Sequence, residues 1–274
     1  MRFLTAFVLA ATVLASGPGQ AAEFITVAST TSTQNSGLFA YLLPLFTATT
    51  NIEVRVVAVG TGQAVRMAER GDADVLFVHH RPSEDKFVRE GYGVKRYDVM
   101  MNDFVLIGPK SDPANAKPAA TVEEALRAIA NRQSPFVSRG DDSGTNKREL
   151  ALWRSVDLDP KTVSGTWYRE AGAGMGATLN MAQGMGAYTL ADRGTWIAFK
   201  NKSELTIVSQ GSANLANPYG VILVNPKRFS QIKSKPGQKF IDWLVSAPGQ
   251  TAIANYKVQG QQLFFPTAQT ATAQ

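Results

Sequence analysis

Short runs rich in β-branched residues alternate along the chain with stretches whose apolar positions return every three or four residues. Phe24-Ile25-Thr26-Val27-Ala28 predicts a strand, followed by a polar loop and a helix from about Gly37 to Thr47. Asn51 to Val59 predicts a second strand by its β-branched content. Gln63 to Arg70 predicts a helix closed by Gly71, because glycine accepts the left-handed conformation that ends a helix. Asp74 to His79 and Asp98 to Ile107 predict further strands, the second stopped at Gly108-Pro109. After a loop from Ser111 to Pro118, Thr121-Val122-Glu123-Glu124 has the capping-box pattern and opens a helix to Asn131.

The alternation continues to the end of the chain. Strands are predicted at Phe136 to Ser138, Trp167-Tyr168, Ala187 to Leu190, Leu205 to Val208, and Val221 to Val224 between Pro218 and Pro226. Helices are predicted at Lys147 to Ser155, Thr178 to Gln183, Thr195 to Phe199 and Gly237 to Tyr256, the last with Pro248 as a candidate break. Alternating elements of this kind predict an α/β architecture with mainly parallel sheets. The order fits two α/β lobes with a ligand cleft between them: lobe 1 from residues 23–105 plus 215–266, lobe 2 from 106–214. The chain would leave lobe 1 near Met101 to Gly108 and return near Ser209 to Pro218. Ligands in such sheets sit at the carboxyl ends of strands, where helices begin.

Composition narrows the class. The chain has 274 residues, of which 44% are hydrophobic and 18% charged, which is globular and large enough for two ordinary domains. Met1-Arg2, the apolar run Phe3 to Ala15 and the small pair Ala21-Ala22 follow the order of a secretory signal peptide over residues 1–22, with Glu23 as the expected mature start. There is no cysteine, hence neither a disulfide framework nor a lipid-bearing cysteine after the signal, which points to a periplasmic protein. The formal charge of +6 is scattered rather than gathered into the basic tracks that follow nucleic acid. From Thr267 onward the chain is rich in Ala, Thr and Gln, and a disordered tail over 267–274 is expected.

Candidate chemistry lies in loops between strands and helices. Ser29-Thr30-Thr31-Ser32-Thr33 presents a run of hydroxyls where backbone N–H groups lack intrahelical partners and the helix dipole favours an anion. Val59-Gly60-Thr61-Gly62 repeats the arrangement, with glycines that allow close backbone approach or serve only a tight turn. The richest segment is Ser138-Arg139-Gly140-Asp141-Asp142-Ser143-Gly144-Thr145. Arg139 supplies a planar fork of donors suited to an oxyanion, or forms a surface pair with a neighbouring aspartate. Gly172-Ala173-Gly174-Met175-Gly176-Ala177 departs from the dinucleotide fingerprint at Ala177, and close packing or hinge use is the expectation there.

An enzyme reading has thin support. Asp142-Ser143-Gly144 has a serine-hydrolase flavour, but activation needs a histidine in reach, and the chain holds only His79 and His80. The same pair, without cysteines or a clear carboxylate cluster, is a weak metal signal. No catalytic residue, cofactor or bare metal ion is expected.

These loops together resemble the tungstate-binding proteins of TupA type, receptors of an ATP-driven importer. The matching landmarks run in one order: Thr30-Thr31-Ser32-Thr33, Val59-Gly60-Thr61-Gly62, Arg70-Gly71-Asp72-Ala73-Asp74-Val75, Asn102-Asp103-Phe104-Val105 and Ser138-Arg139-Gly140-Asp141-Asp142-Ser143-Gly144-Thr145. They continue through Gly174-Met175-Gly176-Ala177-Thr178, Tyr188-Thr189-Leu190-Ala191-Asp192-Arg193-Gly194-Thr195-Trp196, Asn217-Pro218-Tyr219-Gly220 and Gly260-Gln261-Gln262-Leu263-Phe264. Ala191 stands where the family usually has threonine. The resemblance implies a type II periplasmic-binding-protein fold that closes on an oxyanion. By position it assigns Thr30, Thr31, Ser32, Arg139, Ser143 and Thr145 to tungstate, with Thr61 and Gly62 as further donors. It implies a monomer that docks on a membrane permease with a cytoplasmic ATPase. Molybdate, a phosphate receptor with Asp141 or Asp142 as proton acceptor, and a secreted serine hydrolase remain the alternatives.

Overall fold

The computed structural model describes residues 23–268. The signal segment predicted over residues 1–22 and the last part of the predicted tail, 269–274, lie outside the described residues.

The elements follow the predicted order closely. The first part of the chain gives β1 (Glu23–Thr30), α1 (Thr31–Asn35), α2 (Leu38–Thr50), β2 (Ile52–Val59), α3 (Thr61–Glu69), β3 (Val75–Val78), α4 (Arg81–Arg89) and β4 (Gly93–Pro109). The middle gives α5 (Val122–Asn131), β5 (Phe136–Ser138), α6 (Gly144–Arg154), β6 (Tyr168–Glu170), α7 (Met175–Met185), β7 (Thr189–Asp192), α8 (Arg193–Ala198) and β8 (Leu205–Ser209). The chain closes with β9 (Ala216–Val224), α9 (Ser234–Val245), α10 (Ala247–Asn255), β10 (Lys257–Val258), β11 (Gln261–Gln262) and β12 (Phe265–Pro266).

Local chemistry explains several boundaries. Thr121 caps α5 by accepting from the Glu124 N–H at 3.2 Å, while Glu124 reaches back to the Ala120 N–H at 2.9 Å, one residue beyond the cap of an ideal box. The predicted helix over Gly237 to Tyr256 is two helices. Ser246, in extended backbone, ends α9 and caps α10, and Pro248 occupies the first turn of α10, where its missing N–H leaves nothing unsatisfied.

Three expectations are corrected. The sheet is mixed rather than mainly parallel. β1 pairs parallel with β2 and β3, but β9 runs antiparallel to both β3 and β4, and β7, β8 and β12 all lie antiparallel to β4. The second correction concerns Pro218, which lies inside β9, opposite Met101, rather than before the strand. The pairing with β3 stops at Gly220, so at Pro218 the strand has β4 as its neighbour and the missing donor breaks no second ladder. Finally, the predicted tail is held at its start, with Thr267 N–H on Val99 O at 3.2 Å and Ala268 N–H on Gln250 Oε1 at 3.1 Å.

The buried apolar side chains fall into separate cores. The largest is built from β1, β3 and β9 with α2, α9 and α10, where Phe46 meets both Phe240 and Trp243 edge-on. A second core surrounds Phe136, Trp153 and Tyr168, and a third lies under α7 around Leu179. Burial of side chains this large contributes about 1.5–3 kcal/mol each, so each core holds its own layer of helices to its own strands. β4 passes from one core to the next: Val99 and Met100 belong to the first, Phe104 and Leu106 to the second, Val105 and Ile107 to the third. Between the cores, strand ends and helix starts face one another.

Candidate functional site

The site is made of chain turns. β1 runs directly into α1, and the side chain of Thr30 caps that helix by accepting from the Thr33 N–H at 3.3 Å. α3 follows Gly60 and α7 follows Gly174, and neither glycine has a side chain to cap the first-turn N–H groups. Those amides remain free for a ligand. Gly174 and Gly176 have open space where a Cβ would stand, so of the two roles expected from sequence, close packing or hinge use, close packing is not theirs.

The loop between β5 and α6 needs two residues in left-handed backbone, Gly140 at φ 61° and Asp142 at φ 57°. A Cβ on Gly140 would meet Glu170 Cβ at 2.8 Å, and aspartate is among the few side chains that tolerate such a conformation. This turn folds Arg139 back on Asp141, whose Oδ2 accepts from Nε at 3.1 Å and Nη2 at 2.5 Å. The other oxygen of Asp141 accepts the Ser143 N–H at 3.2 Å, which ties the guanidinium to the start of α6. Arg139 is only 4% exposed, so its charge is largely removed from water. Behind it Ser138 Oγ donates to Glu149 on α6, and Tyr168 Oη donates to the same carboxylate at 2.7 Å. Burial pushes Glu149 up to about 7 against those donors.

Two adjoining cavities meet at Arg139. One, of about 240 Å³, is lined by Thr31, Gly60, Gly62, Gln63, Arg66, Arg139, Asp141, Asp142 and Gly174. The other, of about 220 Å³, is lined by Thr31, Ser32, Asn35, Arg139, Gly174, Met175, Gly176, Ala177 and Thr195. Thr31, Arg139 and Gly174 border both. A guanidinium, hydroxyls and uncapped helix starts therefore converge on two adjoining, half-open cavities. Arg66 borders the first cavity, its Nη1 3.8 Å from Asp142 Oδ2, and both side chains are more than half exposed.

Each residue singled out from sequence has a definite place. Thr31, Ser32, Gly62 and Arg139 line the cavities. Thr30 is turned away, its hydroxyl 2.7 Å from that of Thr33 and 3.2 Å from His79 Nε2. Ser143 caps α6 through the Asn146 N–H at 3.2 Å. Thr61 and Thr145 are buried, and among the described residues their hydroxyls have no hydrogen-bond partner. Such orphaned groups destabilise a free protein and are common where a ligand will supply the partner. Among the described residues no nucleophile–base pair of a hydrolase forms: Ser143 caps α6, both ring nitrogens of His79 are engaged elsewhere, and His80 Nδ1 is turned to Ser83 at the start of α4.

Sequence reasoning missed Thr195, whose buried hydroxyl likewise has no partner among the described residues and whose residue borders the second cavity. Its signal in the sequence is the helix start that follows Asp192. Asp192 does cap α8, its Oδ1 accepting from the Thr195 N–H at 2.8 Å, while its buried Oδ2 has no partner among the described residues. Burial raises the pKa of Asp192, and the charge of Arg139 opposes that rise.

A family model for the PBP superfamily domain matches residues 15–248. The tungstate-binding protein TupA of Peptoclostridium acidaminophilum is 47% identical over 253 residues, covering 91% of this chain and 87% of the relative. Two solved structures share the architecture. The tungstate-binding protein TupA from Desulfovibrio alaskensis G20 superposes with a TM-score of 0.80 at 42% identity, over 90% of this chain and all of that one (100%). The tungstate ABC transporter structure from Geobacter sulfurreducens gives a TM-score of 0.78 at 50% identity, over 86% and 100%.

Proposed function

The chain belongs to the PBP superfamily and, within it, to the TupA proteins, and on that basis we propose that it captures tungstate between two lobes and presents it to an ABC importer. It binds and releases its ligand without covalent chemistry. The observation that carries the reading is the meeting of Thr31 and Arg139 on one cavity. They come from loops far apart in the chain, each at a strand end.

The energetics support a naked dianion. Burying one loses several kcal/mol of hydration, even after relaxation of the surroundings. Hydrogen bonds to a charged group contribute about 1.5–3 kcal/mol each, so roughly seven fixed donors exceed that loss, and nanomolar affinity requires about 12 kcal/mol net. The ligand-binding set in this reading is Thr30, Thr31, Ser32, Thr61, Gly62, Arg139, Ser143 and Thr145, with Thr30 and Ser143 acting through the helix starts they cap. Lobe 1, residues 23–105 plus 215–266, would close on lobe 2, residues 106–214, about the strands β4 and β9. The protein would act as a periplasmic monomer beside the importer's permease and ATPase.

Molybdate has nearly the same shape and charge and is the close rival. Phosphate has less support from Asp141 and Asp142 than the sequence implied. Both oxygens of Asp141 are occupied, and Asp142 is exposed and paired with Lys147 at 2.7 Å. Native mass spectrometry with tungstate, molybdate, sulfate and phosphate offered together separates these. A single bound tungstate is expected. Phosphate or sulfate bound as tightly would end the tungstate assignment while leaving an oxyanion receptor.

A further inference from the structure

His79 lies just beyond β3, 5% exposed, with its ring stacked on Tyr219 at 4.7 Å between centroids. Its Nδ1 is 3.0 Å from Asn217 Oδ1, an atom that can only accept, so Nδ1 carries the ring proton. Asn217 is itself oriented by donating through Nδ2 to Asn102 Oδ1 at 2.7 Å. Both asparagines lie on long strands, Asn102 on β4 directly opposite Asn217 on β9. Burial pushes His79 down to about 4, against the Asn217 contact and in the same sense as the nearby charges of His80 and Arg139. The ring is therefore neutral at ordinary pH, and Nε2 is a bare acceptor.

Two hydroxyls compete for that acceptor. Ser32 Oγ is 3.0 Å from Nε2 and Thr30 Oγ1 is 3.2 Å from it, while the two oxygens are 3.1 Å apart. Only one needs to donate. If Ser32 donates to His79, its proton is unavailable to a ligand in the cavity that Ser32 lines. When Thr30 donates instead, the Ser32 proton can turn into the cavity with no heavy atom moving. The exchange needs a nitrogen within reach of both oxygens, which is the arrangement observed.

We propose that His79 is a positioning residue for oxyanion capture: its Nε2 holds the Ser32 hydroxyl proton in the empty site and passes to Thr30 when an oxyanion takes that proton. This rests on the oxyanion-binding reading above. The role explains why a histidine with no catalytic partner is buried behind the Ser32 hydroxyl, and why asparagines on both long strands fix its tautomer. The histidine would thus hold the hydroxyl loop ready without presenting a second acceptor to the anion.

The test combines affinity with the ring's nitrogen signals. In protein with ¹⁵N-labelled histidine, assigned by comparison with His80→Gln, His79 should show a protonated Nδ1 and a bare Nε2 without ligand, and the Nε2 signal should move on saturation with sodium tungstate. Calorimetric titration should show His79→Phe, which keeps a ring but no acceptor, roughly 10-fold weaker for tungstate, the order of one hydrogen bond. His79→Gln, whose amide oxygen can still accept from Ser32, should stay within about 3-fold. An Nε2–H tautomer, an Nε2 signal that tungstate leaves unmoved, or equal affinities for wild type and His79→Phe would overturn the role of His79. A wild-type protein that binds no tungstate would remove the functional reading first, and this inference with it.

Discussion

A Cβ placed on Gly144 would stand 2.7 Å from His79 Cε1 and 3.0 Å from Thr61 Oγ1. The first residue of α6 thus presses against a histidine just beyond β3 and against the first residue of α3. Contacts that close leave no room for even a methyl group.

Gly144→Ala is expected to hinder closure. Overpacking of a well-fitted contact costs roughly 1–3 kcal/mol. In an open protein the clash is relieved, so this penalty falls on the ligand-bound state. Tungstate affinity should drop by about 10-fold or more, with the melting temperature of the free protein unchanged or slightly raised. Scattering in solution should find the variant's radius of gyration unresponsive to tungstate. Wild-type affinity in Gly144→Ala would mean that the contact is not part of the bound state.

Arg139→Ala should abolish tight binding. Each charged hydrogen bond lost costs about 1.5–3 kcal/mol, and Asp141 loses the guanidinium it clamps. Arg139→Lys keeps the charge but not the planar fork, and is expected to recover only part of the affinity. Calorimetry on both variants measures this, and undiminished binding by Arg139→Ala would take the guanidinium out of the site.

Thr61→Val and Thr145→Val should separate stability from binding. Each replaces a buried hydroxyl that has no partner among the described residues by a methyl group of similar size. Removing an unsatisfied polar group relieves a desolvation penalty of about 1–3 kcal/mol. The free variants should melt at the same temperature as wild type or higher, yet bind tungstate more weakly. Parallel thermal scans with and without ligand provide the comparison, and a fall in the stability of the free variants would show that these hydroxyls already have partners.

Glu149 gives a pH signature. Its folded pKa, about 7, lies above the ordinary carboxyl value because burial disfavours the charge. The folded state then holds its proton more tightly, so the stabilisation is complete below the unfolded pKa and is lost as pH rises through about 7. Glu149→Gln cannot lose that proton. The stability of wild type relative to Glu149→Gln should therefore fall between pH 5 and pH 8, by something on the order of 1–3 kcal/mol. His79 and His80, both pushed down to about 4 by burial, act in the opposite sense but are common to both proteins and cancel. A constant difference across this range would place the Glu149 pKa at its ordinary value.

Much of the architecture was readable from residues a few positions apart. Thr121 and Glu124 announce the start of α5 because cap and first turn satisfy one another within the same stretch of chain. β5 over Phe136–Ser138 and the break beside Pro248 follow from similarly local chemistry. α4, by contrast, escaped notice. It is mostly charged, Phe87 is its buried apolar residue, and its cap is the ring of His80, which accepts from the Ser83 N–H at 3.3 Å.

Helix starts, their donors and the unusual density of hydroxyls before them were thus written in the order of amino acids, since hydrogen bonds across three or four residues depend on little else. The antiparallel direction of β9, the burial of Arg139 against Asp141 and the meeting of Thr31 with Gly174 were decided by packing between distant segments. So was the fate of each hydroxyl. Thr30 turns to His79 and Ser143 to its own helix, while Thr61 and Thr145 are left without partners, because a hydroxyl's partner depends on which atoms surround it once the layers have come together.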